Sequence, residues 1–153
     1  MQIPKSLPSF KDTPTLFVVL GTQDARLYHA HNNIMEKIDD FKVSKPHYSD
    51  REGHFKTRGK GMVMVSGSVY EAKKQVTFHE FLDELVSHLK EAEKSYAPRE
   101  IYLFVPRHRK NAVLEALPKK ISDRIRLIKS GNYYKAHPKE LLEMVAKHYA
   151  KNS

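Results

Sequence analysis

The chain contains no cysteine. That excludes disulfides, thiolate zinc sites and thiol nucleophiles together, and it fits a reducing cytosol. No apolar run approaches the ~18 residues that a membrane span requires, so no membrane partner is expected. The opening stretch "MQIPKSLPSFKDTP" lacks the apolar centre of a signal peptide. Acids are scarce relative to bases: 18 Asp and Glu face 27 Lys and Arg, for a formal net charge of +9. That balance favours polyanionic partners, nucleic acid above all and anionic surfaces less specifically. The expectation is a soluble, cytoplasmic protein.

The 153 residues fit one domain, which can bury roughly 70% of the surface its unfolded chain exposes. Pro4, Pro8 and Pro14 mark 1–14 as an extended lead-in to a single α/β domain over 15–153. "TLFVVLG" (15–21) is a short Val-rich run closed by Gly21 and reads as a buried strand. "ARLYHAH" (25–31) alternates as a second strand, Asn32-Asn33 is a turn signal, and "IMEKIDDFKV" (34–43) returns as a third. Short connections make these three an antiparallel meander.

The stretch at 62–75 reads equally as loop or short helix. Beyond it, Phe78, Phe81, Leu82, Leu85, Val86 and Leu89 follow helical spacing. Thr77 and Glu80 match a capping box, with Val76 and Phe81 placed as a hydrophobic staple. The expected helix covers about 77–94. "EIYLFVP" (100–106) is a fourth, nearly all-apolar strand, and 107–118 a short helix ending before Pro118. "DRIRLIKSG" (123–131) is a fifth strand, and 137–150 a last helix with Pro138 in its first turn. Strands alternating with helices imply parallel pairing in the second half. The expected fold is α/β: a mixed five-stranded sheet in order 3-2-1-4-5, with helices on both faces, as in ribonuclease H-like architectures.

A nuclease of that architecture holds two metal ions on clustered carboxylates. Here the first and fourth strands carry no acid in their centres, Asp24 falls in the turn, and the adjacent Asp39 and Asp40 point to opposite faces. His29 and His31 share a strand face but gain no third ligand at a telling spacing. No Gly-x-Ser-x-Gly elbow and no phosphate loop is present. No catalytic residue and no cofactor is therefore assigned.

"HYSDREGHFKTRGKG" (47–61) is different. Between positions 42 and 60 there are six Lys or Arg and two acids, interleaved with Tyr48, His54 and Phe55. Spaced cations can follow a phosphate backbone and aromatics can stack on unpaired bases. The candidate nucleic-acid contacts are Tyr48, Arg51, Phe55, Lys56, Arg58 and Lys60, with Arg107 and Arg109 from a second basic group at 107–110. Lys119, Lys120, Arg124 and Arg126 form a third.

"LFVVLGTQDARLYHAHNN", "FHEFLDELVSHLKEA", "REIYLFVPRHRKNAVLEAL" and "ISDRIRLIKSGNYYKAHPKELLEMV" resemble successive segments of the bacterial proteins required for attachment to host cells, over about residues 15–149. That family is similar in turn to the middle domain of archaeal and eukaryotic peptide-chain release factors, whose Gly-Gly-Gln tip lies between the third strand and the long helix. The 47–61 stretch occupies the corresponding place and has no Gly-Gly-Gln, so no hydrolytic residue carries over. The resemblance implies a non-enzymatic module for structured RNA, tRNA or the ribosome. The alternative is a host-attachment-type protein that binds an acidic protein or surface.

Overall fold

The computed structural model describes residues 1–43 and 60–152, with side chains placed at 1–43 and 77–150. The elements are β1 (Thr15–Leu20), β2 (Asp24–His31), β3 (Ile34–Lys42), α1 (Lys60–Tyr96), β4 (Glu100–Val105), α2 (Lys110–Ala116), α3 (Lys119–Ser122), β5 (Ile125–Ser130) and α4 (Pro138–Asn152). A 3-10 turn, Arg107–Arg109, leads from β4 into α2. The strands form one mixed sheet in the expected order, β3-β2-β1-β4-β5. β1 pairs antiparallel with β2 and parallel with β4. β2 and β3 are antiparallel, and β4 and β5 are parallel.

Continuous apolar runs make β1 and β4 the centre of the sheet, because such strands must be covered on both faces. One face places Leu16, Val18, Leu103 and Val105 against Phe81, Leu85 and Leu89 of α1, Val113 of α2 and Ile121 of α3. The other places Phe17, Val19, Tyr28 and Phe104 against Leu141, Leu142 and Val145 of α4. Ile3 is buried in this second layer, and its N–H donates to the Asn33 carbonyl at 2.8 Å. The Asn32-Asn33 turn takes left-handed φ values of 49° and 67°, which Asn tolerates and a tight hairpin requires.

α1 departs from expectation. It starts at Lys60, not near 77, and runs for 37 residues. Thr77 therefore lies inside the helix, buried at 2% exposure, and the capping-box reading of Thr77 and Glu80 is corrected. The Thr-x-x-Glu pattern marks a start only where the chain upstream is not helical. The spacing itself holds, with Phe78, Phe81, Leu85 and Leu89 all buried. The stretch at 107–118 is also corrected: it divides into the 3-10 turn and α2, with Leu117 extended before Pro118.

Phe81 is 1% exposed and stacks on Phe41, ring centroids 5.9 Å apart. Phe81→Ala should destabilise the fold by about 3–5 kcal/mol. Urea unfolding of the variant and parent measures this, and a loss under ~1 kcal/mol would contradict the packing described.

Candidate nucleic-acid interface

Several connections meet at one end of the sheet. β1 and β4 are parallel, so Leu20 and Val105 end on the same side, and β5 ends beside β4 at Ser130. Lys42, at the end of β3, pairs with Asp24 at the start of β2, and Asp24 returns to β1 through its carbonyl, which accepts the Gly21 N–H at 2.8 Å. The connection from β3 to α1 therefore leaves from the end of the sheet that carries Arg107–Arg109. Tyr48, Arg51, Phe55, Lys56 and Arg58 lie outside the described residues. Lys60 is the first residue of α1, and its side chain is also outside them.

Arg107 is exposed and Arg109 half-buried. The Arg109 guanidinium carbon lies 3.8 Å from the Phe78 ring centroid, a cation–π contact typically worth ~0.5–2 kcal/mol. It fastens the 3-10 turn to α1. The Arg109 Nε is buried without a hydrogen-bond partner among the described residues. The two arginines thus differ: one covers an aromatic ring and one faces solvent.

A cluster that the sequence reading missed sits at the same end. The Arg26 guanidinium lies 4.4 Å from the Tyr134 ring centroid, and its Nη1 donates to the Tyr134 carbonyl at 3.1 Å. A Cβ on residue 21 would lie 1.9 Å from an Asp24 carboxylate oxygen and 3.3 Å from the Tyr134 ring, so a side chain there would displace the Asp24 carboxylate. Burial raises the Tyr134 hydroxyl above its ordinary value, and the charges of Asp24 and Asp40 push the same way against Arg26. Arg26 and Tyr134 are 108 positions apart, and no local pattern links them.

The acids do not converge. Asp39 faces α1, where its carboxylate meets His88 Nδ1. The other His88 nitrogen is 3.4 Å from Glu84, and the ring stacks on Phe41 at 4.0 Å. Asp40 instead pairs with Lys37 at 3.0 Å. His29 and His31 share a face with ring centroids 6.1 Å apart, and His29 lies against Tyr96 at 4.9 Å. Among the described residues, no three His, Asp or Glu side chains are arranged to hold a metal ion.

The third basic group lies at the opposite end of the sheet. Ile125, which follows Arg124, pairs with Ile101 near the start of β4. β4 has six residues, which at ~3.3 Å each separates the two ends by about 20 Å. The second and third basic groups therefore do not form one surface.

No family model matches the chain, and no curated protein matches its sequence. Solved structures align with it at low identity. The archaeal translation termination factor aRF1 aligns over 93% of this chain and 40% of its own, at 9% identity and a TM-score of 0.49. A second structure, described as an archaeal protein, aligns over 91% of this chain and 41% of its own, at 12% identity and a TM-score of 0.44. The chain thus spans about two fifths of the length of either structure.

Burial lowers the His29 pKa below the ordinary 6.5, and neighbouring His31 adds to this while Glu36 opposes it. As pH falls, the unfolded chain takes up this proton before the folded one does. His29 therefore contributes stability that is present above about pH 6.5 and lost as pH falls through the lowered folded value. His29→Gln should narrow the stability difference between about pH 7.5 and about pH 5. Chemical denaturation at both values checks this, and an unchanged difference would count against the burial described.

Proposed function

We propose that the chain is a non-enzymatic module that binds structured RNA. The observation that supports this reading is the topology: Lys42 and the solvent-facing Arg107 lie at the same end of the sheet, the end from which the chain leaves β3 toward the basic, aromatic 47–61 stretch. The excess of nine positive charges supports a polyanionic ligand. The resemblance of its segments to host-attachment proteins, a family similar in turn to release-factor middle domains, supports RNA as that polyanion. The missing Gly-Gly-Gln supports binding without peptide release. In this reading Arg51, Lys56, Arg58 and Lys60 contact phosphates, and Tyr48 or Phe55 stacks on an unpaired base.

The test is RNA affinity as a function of salt, measured by fluorescence anisotropy on a labelled hairpin. Each phosphate contact contributes about 0.7–0.9 to the slope of log K against log salt. The double variant Arg58→Ala/Lys60→Ala should lower that slope by about 1.4–1.8. Phe55→Ala should weaken binding by about 1–3 kcal/mol at nearly constant slope. The hairpin should remain intact in the presence of Mg²⁺. If both variants bound like the parent, the stretch would be a solvated connection, and an acidic protein partner would become the better reading.

A further inference from the structure

We propose that the end of the sheet opposite Lys42 and Arg107 carries a second phosphate-binding surface for the same RNA. This rests on the RNA-binding reading and extends it to where the RNA must reach. Between the turn at 97–100 and the side chains of Arg124 and Arg126 lies a cleft of about 540 Å³. Beside it, between α1 and α3, lies a hollow of about 370 Å³. Six cations line the two, Lys90, Lys94, Arg99, Lys120, Arg124 and Arg126, against two acids, Glu93 and Glu100.

The acids do not neutralise this surface. The Glu93 side chain is 15% exposed and is shared by Lys120 at 3.2 Å and Arg124 at 3.3 Å. One carboxylate thus orients two cations and leaves an excess charge. Arg126 Nη1 donates to the Asp123 carbonyl at 3.3 Å, an uncharged partner, and Arg126 forms no close ion pair among the described residues, though Glu100 lines the same cleft. Arg99 is exposed and has no side-chain partner among the described residues.

The walls are held by hydrogen bonds to backbone carbonyls, one of them from the Arg124 guanidinium. Ala97 takes a left-handed φ of 46°, and its N–H donates to the Glu93 carbonyl at 2.8 Å, ending α1 sharply. The Arg99 N–H donates to the Pro14 carbonyl at 2.8 Å, and Arg124 Nη1 donates to the Pro98 carbonyl at 2.9 Å. Arg99 therefore projects from fixed backbone, which lowers the ordering cost of a charge-assisted contact, while Arg126 sits in β5 at the register shift against β4.

The ligand class follows from shape and spacing. Both hollows are open, and their cations continue from one into the other on either side of Glu93. A row of that kind suits successive phosphates of a backbone better than one enclosed small anion. The two ends of the sheet are about 20 Å apart, against ~3.4 Å per phosphate along one strand. A single RNA that engages both ends must therefore span several nucleotides.

The experiment uses the full chain and a labelled RNA hairpin of about twenty base pairs, long enough for both ends. Arg99→Ala/Arg126→Ala should lower the salt slope by about 1.4–1.8, as two lost phosphate contacts would. Arg99→Gln/Arg126→Gln, which keeps side-chain length, should give the same loss, and thermal unfolding should place both variants near the parent. If Arg58→Ala/Lys60→Ala lowers the slope while both cleft variants keep the parent's, the second surface is overturned and the RNA reading stands. If the parent does not bind the hairpin, the RNA reading fails and this inference fails with it.

Discussion

Strands β1 and β4 pair in parallel at the centre of the sheet, and every side chain of β1 is buried. A pair buried on both faces cannot stand without cover on each side. Parallel strands also cannot be joined by a tight turn, so the chain must cross from one end of the sheet to the other between them. From β1 it takes the meander of β2 and β3 and then α1, and from β4 to β5 it passes through α2 and α3. These routes cover one face, and α4 with the N-terminal Ile3 covers the other. The same pairing fixes two poles. One receives the start of the β3–α1 connection, the Arg107–Arg109 turn and the end of β5; the other receives the α1–β4 turn and the start of β5.

How much of this was legible in the sequence depended on whether the signal was local. Alternation and Val-rich runs locate all five strands, and the shortness of the first connections against the helices in the later ones yields the strand order. Pro138 fixes the start of α4, because its missing N–H is harmless only in a first turn. α1 was legible only where it packs. Upstream, Gly61 and Gly67 each cost about 1 kcal/mol relative to Ala in a helix, and the run of Met and Val at 62–65 reads as well for strand as for helix. Thr77 then supplied a plausible but false start. The Arg26–Tyr134 contact was illegible for a different reason: it joins the second strand to the loop after the fifth, and only the closed sheet brings them together.

The candidate interface was legible as chemistry and not as placement. Arg107 and Arg109 look equivalent in "PRHRK", yet one faces solvent and the other lies over Phe78. The difference comes from the 3-10 turn, which carries Arg109 back onto α1. Similar internal use accounts for other basic residues: Arg26 against Tyr134, Lys37 against Asp40, and Arg124 with Lys120 around Glu93. A count of basic residues therefore overstates the charge offered to a ligand. What matters is where cations remain without a compensating acid.

Arg107 at one pole and Arg99 and Arg126 at the other face solvent from the ends of a sheet whose central strands cannot shorten or bend without breaking the pairing that organises the core. Their separation is thus a fixed length and not an average over a flexible chain. A small anion could relieve the repulsion at one pole only, and a flat anionic surface would have to meet both ends of the strands at once. A folded polyanion several nucleotides long can neutralise one pole and continue to the next, with each contact releasing its own counterions. In the proposed RNA-binding reading, the rigid spacing of the two ends favours an extended, phosphate-rich partner over a small anion.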